Sequence, residues 1–153
     1  MLTWGEFAAA EPELASEGKA LFRAFTLGHL ATIDGDGAPR VDLVTVTIHD
    51  GGLYAFVVHG TPKRANLERD GRYALQSFPR FRRGTLESFV DDEFSLRGRA
   101  VPIDDPAERA TVACVHNDTV HERDRLFRLD LDRAHHKTRV DGRAVYRRWH
   151  APR

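Results

Sequence analysis

The chain has 153 residues, 41% of them hydrophobic and 30% charged, with 23 Lys+Arg against 23 Asp+Glu. This length supports one domain with its own core over residues 1–153, and the charge balance excludes a nucleic-acid binder driven by bulk electrostatics. No apolar run is long enough to span a membrane, the first residues lack the basic start and apolar core of a signal peptide, and the single Cys114 excludes an internal disulfide, so a cytoplasmic protein with no membrane partner is expected. Leu14, Leu21, Phe22 and Phe25, separated by charges, predict an amphipathic helix over 11–25, within an N-terminal region 1–26. Gly28 to Ile33 reads as a strand, Asp34 to Gly37 as a hairpin turn, and the β-branched run Val41 to Ile48 as a second strand. Asp50 to Gly52 is another turn, leading into a third strand, Leu53 to Val58.

Pro62 opens a helix over 62–69, and Gly71 suits the left-handed conformation at its end. Strands are expected at Arg72 to Phe78 and Phe94 to Ile103. Asp104-Asp105-Pro106 then begins a helix through about Cys114, and strands at Leu126 to Ala134 and Ala144 to Trp149 follow. The early strands are joined by turns too short for crossover helices. Around six strands in this order predict a mainly β fold, a six-stranded antiparallel barrel over 27–150 with flanking helices, rather than a doubly wound parallel sheet.

The segment His59-Gly60-Thr61-Pro62-Lys63-Arg64 carries the strongest functional signal. Thr61 is a good N-cap and Pro62 fits the first helical position. Lys63 and Arg64 then place two cations in a first turn whose free N–H groups already favour negative charge. An anion bound at that end, a phosphate above all, reconciles them; the alternative is a solvated pair on an ordinary capped helix. If strands two and three pair through Asp50–Gly52, Arg40 and Pro62, equidistant from Gly51, return to one end of the sheet. Arg40, Thr61 and Lys63 then converge.

Other features read as structural. Phe78-Pro-Arg-Phe-Arg-Arg-Gly84 is taken as a hairpin tip or subunit-contact loop rather than a base-stacking surface. His116 and His121, or His135 and His136, lack metal-ligand spacing, and Cys114 reads as a small buried apolar residue. No dinucleotide-binding, Walker or nucleophile-elbow motif occurs.

Taken in order, Gly28 to Ile33, Gly35 to Val41, Asp50 to Tyr54, Gly60 to Leu67, Arg69 to Leu75, Leu96 to Ala100 and Val145 to Trp149 resemble the flavin-binding split-barrel family typified by pyridoxamine 5′-phosphate oxidase, over about residues 20–150. The resemblance implies a homodimer with two FMN molecules at its interface. Arg40, Thr61 and Lys63 match the phosphate-holding positions. Val41, Asp42 and Leu43, with Phe56 and Val57, match positions along the ring and ribityl chain. Trp149 either reaches the partner subunit's flavin or is a core or interface aromatic. Pro62 replaces the family's serine or arginine before the lysine and removes a phosphate donor, and Asp42 introduces a carboxylate on the strand that faces the cofactor. Arg148-Trp149-His150 matches the letters of the segment that grips pyridoxal phosphate but sits inside the last expected strand, so the two are not equated. The function implied is an FMN-dependent oxidoreductase acting on a small molecule, with the chemistry carried by the flavin. The alternatives are an F420-dependent oxidoreductase or a non-enzymatic flavin- or haem-binding module.

Overall fold

A computed structural model describes residues 1–78 and 92–152. Thr3 and Glu6 form a reciprocal capping box: the Thr3 hydroxyl accepts from Glu6 N (3.3 Å), and Thr3 N donates to Glu6 Oε2 (2.8 Å). It starts α1 (Trp4–Ala10), an element not anticipated above although its Thr-x-x-Glu signal is present in the sequence. Thr3→Ala is expected to cost about 1 kcal/mol in urea unfolding, the usual worth of a cap. Next come α2 (Pro12–Phe25), β1 (Leu27–Ile33), β2 (Pro39–His49), β3 (Gly52–Val57), α3 (Pro62–Arg69), β4 (Arg72–Ser77), β5 (Glu93–Pro102), α4 (Pro106–Val115), β6 (Arg125–Val140) and β7 (Arg143–His150).

The strand order is β3-β2-β1-β4-β5-β6-β7, and β3 also pairs with β6. Six antiparallel strands therefore close into a barrel, with β7 added to the far part of β6. Asp50 and Gly51, at φ 42° and 75°, form the two-residue turn between β2 and β3. Asp141 and Gly142 (φ 50° and 76°) do the same between β6 and β7, which makes both strands longer than their apolar alternation indicated.

The barrel is split along one edge of β6. Arg125 to Arg128 pair with β3, and Arg133 to Val140 pair with β7. Between them Leu2 and Leu131 exchange two backbone hydrogen bonds of 2.8 Å. On the other edge, the β5–β6 register shifts at Gly98, leaving Asp132 as the extra residue of a bulge. A Cβ at Gly98 would lie 1.9 Å from the Asp130 carbonyl oxygen, so this crossing accepts only glycine.

Inside, Leu30, Leu53, Val57, Leu75, Leu96, Leu129 and Leu131 are fully buried or nearly so. The helices α1 and α2 close one end, where Phe94 meets Trp4 and Phe22 edge-on at 6.3 and 6.0 Å. Trp149 is 8% exposed and packs on Phe7 at 4.8 Å, so it is a core residue of its own chain. Two expectations are corrected. Phe25 lies at the end of α2 and is 42% exposed, outside the buried face formed by Leu14, Leu21 and Phe22. Cys114 is exposed, because α4 buries only Val112 and two residues further on is about 200° around the helix. Beyond Phe78, the Phe78–Gly84 run lies outside the described residues. Among the described residues, no helix is long and apolar enough to cross a membrane.

Candidate functional site

The β2–β3 ladder runs only from His49–Gly52 to Val46–Ala55. Beyond it Phe56 and Val57 keep only the pairing with β6 that Tyr54 and Ala55 already make on the other edge of β3, and the free edge of β2 borders a cleft of about 200 Å³. Leu43, Phe56, Lys63, His116 and Asp118 are among its walls. Lys63, in the first turn of α3, donates from Nζ to the Leu43 carbonyl at 2.5 Å. Among the described residues it has no carboxylate within ion-pair distance.

The other expected phosphate donors are placed differently. Thr61 occupies the N-cap position, but its hydroxyl donates to the Val58 carbonyl (2.8 Å) and makes no side-chain cap. Arg40 pairs in register with Thr32, and α3 reaches that level through its second half, where Asn66 Nδ2 donates to Thr32 Oγ1 (3.0 Å). Three residues of strand, about 10 Å, separate Arg40 from Leu43. Its guanidinium is held by both carboxylate oxygens of Asp42, at 2.9 and 3.3 Å. Arg64 points away from the cleft, bonding Glu68 Oε1 (2.9 Å) and the Arg123 carbonyl (2.7 Å). Pro62 is exposed at the first helical position.

Strand alternation divides the remaining positions. Val41 and Leu43 face outward and are 62% and 50% exposed, whereas Arg40 and Asp42 project from the opposite face. Phe56 belongs to an outer cluster with Tyr54, Val112 and Leu126 beneath α4. Val57 is buried in the barrel, so only its main chain is available to a ligand.

The segment after α4 supplies His116, weighed from the sequence only as a metal ligand, and Asn117 and Asp118, which the sequence reading passed over. His116 Nδ1 lies 2.7 Å from Thr47 Oγ1, and the ring meets Phe56 edge-on at 5.0 Å. Thr45 donates to Asp118 (3.1 Å) and Asn117 to Thr26 (3.2 Å). Arg109 stands 4.9 Å over the Phe56 ring and donates to the Asp124 and His121 carbonyls at 2.7 and 2.9 Å. These bonds hold 116–124 against β2 and β3. Apart from the His116–His121 spacing, their sequence signal was a cluster of polar residues just past a helix end.

Burial pushes the His116 imidazole below its ordinary value, and the neighbouring Asp118 carboxylate opposes this. Asp118 is itself held below the usual carboxylate range by bonds from Thr119 N and the Thr45 hydroxyl. Burial and the bond to Glu108 push the Tyr54 phenol up to about 12. For His116 the folded protein resists protonation, so between its unfolded value near 6.5 and its lowered folded value the unfolded chain binds more protons. Stability is full above this window and falls as the pH drops through it. A shallower Tm–pH slope is expected in His116→Asn as the pH falls below about 6.5; an unchanged slope would mean that His116 does not contribute.

Elsewhere, a hollow of about 350 Å³ lies on the outer face between Ala31, Ala74 and Gly98. It is larger than the cleft and carries Arg97 and Arg72, the latter paired with Asp70, but it has no helix N-terminus beside it. No group of three or more His, Cys, Asp or Glu side chains among the described residues is arranged to hold a metal ion.

The family model described as pyridoxamine 5′-phosphate oxidase matches residues 14–138. The chain belongs to the pyridoxamine 5′-phosphate oxidase family. Among solved structures, a haem binding protein from Mycobacterium smegmatis superposes with a TM-score of 0.69 at 22% identity, over 88% of this chain and 57% of that one. The haem storage protein of Vibrio cholerae gives 0.61 at 18% identity, over 79% and 89%. A FAD-binding protein from Mesorhizobium loti gives 0.62 at 20%, over 78% and 91%. The chain thus spans little more than half the length of the mycobacterial protein, and at these identities the likeness is one of fold. No match emerges among curated protein sequences. Membership in the pyridoxamine 5′-phosphate oxidase family accords with the closed six-stranded barrel and its split edge.

Proposed function

We propose that this protein binds FMN as a homodimer and acts as a flavin-dependent oxidoreductase on a small molecule. The observation that carries the reading is Lys63: a cation at a helix N-terminus, bonded among the described residues only to a neutral carbonyl, beside a cleft walled by Leu43 and Phe56 together with His116, Asp118 and Asp124. The donor set fits one phosphate at Lys63. A cleft of about 200 Å³ is smaller than the usual site for a ligand of this size, so the ring lies outside it. Val41 and Leu43 offer an exposed apolar strand face, joined by Leu27 and Val58, which are 36% and 49% exposed. A second copy of the chain covering that face would bury the ring and these side chains together. Bound FMN would supply the redox chemistry; Lys63 holds its phosphate, and Phe56 and His116 close the cleft against water.

The purified protein is expected to carry a yellow ligand with the mass of FMN, released on denaturation. Colourless protein that takes up no added FMN would sink the proposal. F420 also carries a phosphate that Lys63 could hold, and comparing the Kd values for FMN and F420 separates the two. A second reading, a non-enzymatic haem-binding module, is favoured by His116, whose Nε2 has no partner among the described residues and whose burial favours the neutral ring that iron ligation requires. It also draws on the haem-binding neighbours. A Soret band in place of a flavin spectrum, lost in His116→Ala, would establish it.

A further inference from the structure

Consecutive residues divide between two places around the start of α3. Val58, Lys63 and Asp124 line the cleft, while His59, Arg64 and Arg123, each one position away in the chain, meet in a separate cluster. That cluster borders a hollow of about 340 Å³ lined by His59, Thr61, Pro62, Arg64 and Glu68.

Arg64 Nη1 lies 3.0 Å from His59 Nδ1, and Arg123 Nη2 lies 2.7 Å from His59 Nε2. A guanidinium has no acceptor, and a neutral imidazole has one acceptor nitrogen and one N–H. One of the two contacts therefore sets N–H against N–H, and a protonated ring would make both do so. The nearby carboxylates are already engaged. Glu68 accepts from Arg64 Nε (2.9 Å), and Asp124 accepts from the backbone N–H groups of His59 (3.3 Å) and His121 (2.8 Å). Arg123 has no carboxylate partner among the described residues. The cluster is short of one component: an acceptor with several oxygens that can take N–H bonds from both guanidiniums at once.

We infer that His59, Arg64 and Arg123 form a second phosphate subsite, which takes a further phosphate of a dinucleotide beside the one at Lys63. This rests on the flavin reading above. Neighbouring Cα atoms are about 3.8 Å apart, so the two subsites begin one residue apart along each of three chain segments. Two forked guanidiniums suit a phosphate better than a lone lysine does. The dinucleotide is either FAD as the cofactor or NADPH as the electron donor to FMN, and the two share this phosphate chemistry.

The test is calorimetric titration of the full chain and of the double variant Arg64→Gln/Arg123→Gln with FMN, FAD, NADPH and inorganic pyrophosphate. The double variant is expected to lose about tenfold or more in affinity for FAD or for NADPH while FMN affinity changes less than about twofold. The ligand that loses affinity identifies the source. Unchanged affinity for both dinucleotides, or wild-type protein that binds FMN but neither of them, overturns the subsite. Arg64 also holds the Arg123 carbonyl, so the single variant Arg123→Gln, whose guanidinium bonds only His59 among the described residues, is run alongside. It is expected to keep the wild-type Tm and show the same selective loss in part; unaltered dinucleotide binding counts against the subsite. If the wild-type chain binds no flavin, the flavin reading fails and pyrophosphate decides the subsite by itself. Pyrophosphate binding lost in the double variant supports it, and no binding to wild type overturns it.

Discussion

Lys63→Ala is expected to weaken FMN binding by about 1.5–3 kcal/mol, roughly ten- to 150-fold, the worth of a hydrogen bond to a charged group. Fluorescence quenching on titration of apoprotein measures it. The effect should fall on affinity and leave the Tm nearly unchanged. The Lys63 side chain is partly exposed and its only bond among the described residues is to the Leu43 carbonyl, so removing it leaves no buried charge there unpaired. Arg40→Ala is expected to cost far less, because the Asp42 carboxylate already occupies that guanidinium through two bonds. The contrast between the two variants is the test. Equal losses would mean that the Arg40–Asp42 pair opens when the ligand binds and that the phosphate spans about 10 Å of strand edge with help from both cations. Loss in neither would move the phosphate away from α3.

Phe94→Ala is expected to destabilise the fold by about 3–5 kcal/mol in guanidinium unfolding. Phe94 is fully buried at the point where β5 meets both N-terminal helices, edge-on to Trp4 and Phe22. Gly18 of α2 lies directly against it, since a Cβ there would come within 2.6 Å of the ring. The close fit leaves nothing free to collapse into the vacated space, which places the cost at the upper end of the range. That is a large share of the 5–15 kcal/mol typical of a whole domain. Phe94→Leu keeps most of the volume and is expected to cost far less. A loss below about 1 kcal/mol for Phe94→Ala would show that α1 and α2 are not coupled to the barrel through this ring.

The barrel was largely legible before any coordinates because its signals are local. Asp34–Gly37 and Asp50–Gly52 each dictate a tight turn, and tight turns leave antiparallel pairing as the only option. The Thr3-x-x-Glu6 box and the Asp141-Gly142 turn carry signals of the same kind, and the elements they begin or join could have been found from them. The binding segment was less legible. The run Arg40-Val41-Asp42-Leu43 resembles the family as a unit, but alternation sends its members to two faces of β2, and Phe56 and Val57 separate in the same way. The fate of Thr61 and Arg64 turned on acceptors supplied by Val58 and Arg123, the second of them 59 residues away along the chain.

By itself the sequence determined the strands, the turns that join them and the cationic start of α3, all governed by contacts within a few residues. Only the tertiary structure decided that β3 leaves β2 after Ala55, which opens the cleft, and that the segment after α4 brings His116 and Asp118 into it. It also decided what each cation bonds: Arg40 the Asp42 carboxylate, Arg64 Glu68 and the Arg123 carbonyl with His59 beside it, and Lys63, among the described residues, the Leu43 carbonyl alone. The physical reason is that a side chain's hydrogen-bond partners come from whichever segments the closed barrel brings within about 3 Å, and sequence spacing carries no record of most of those approaches.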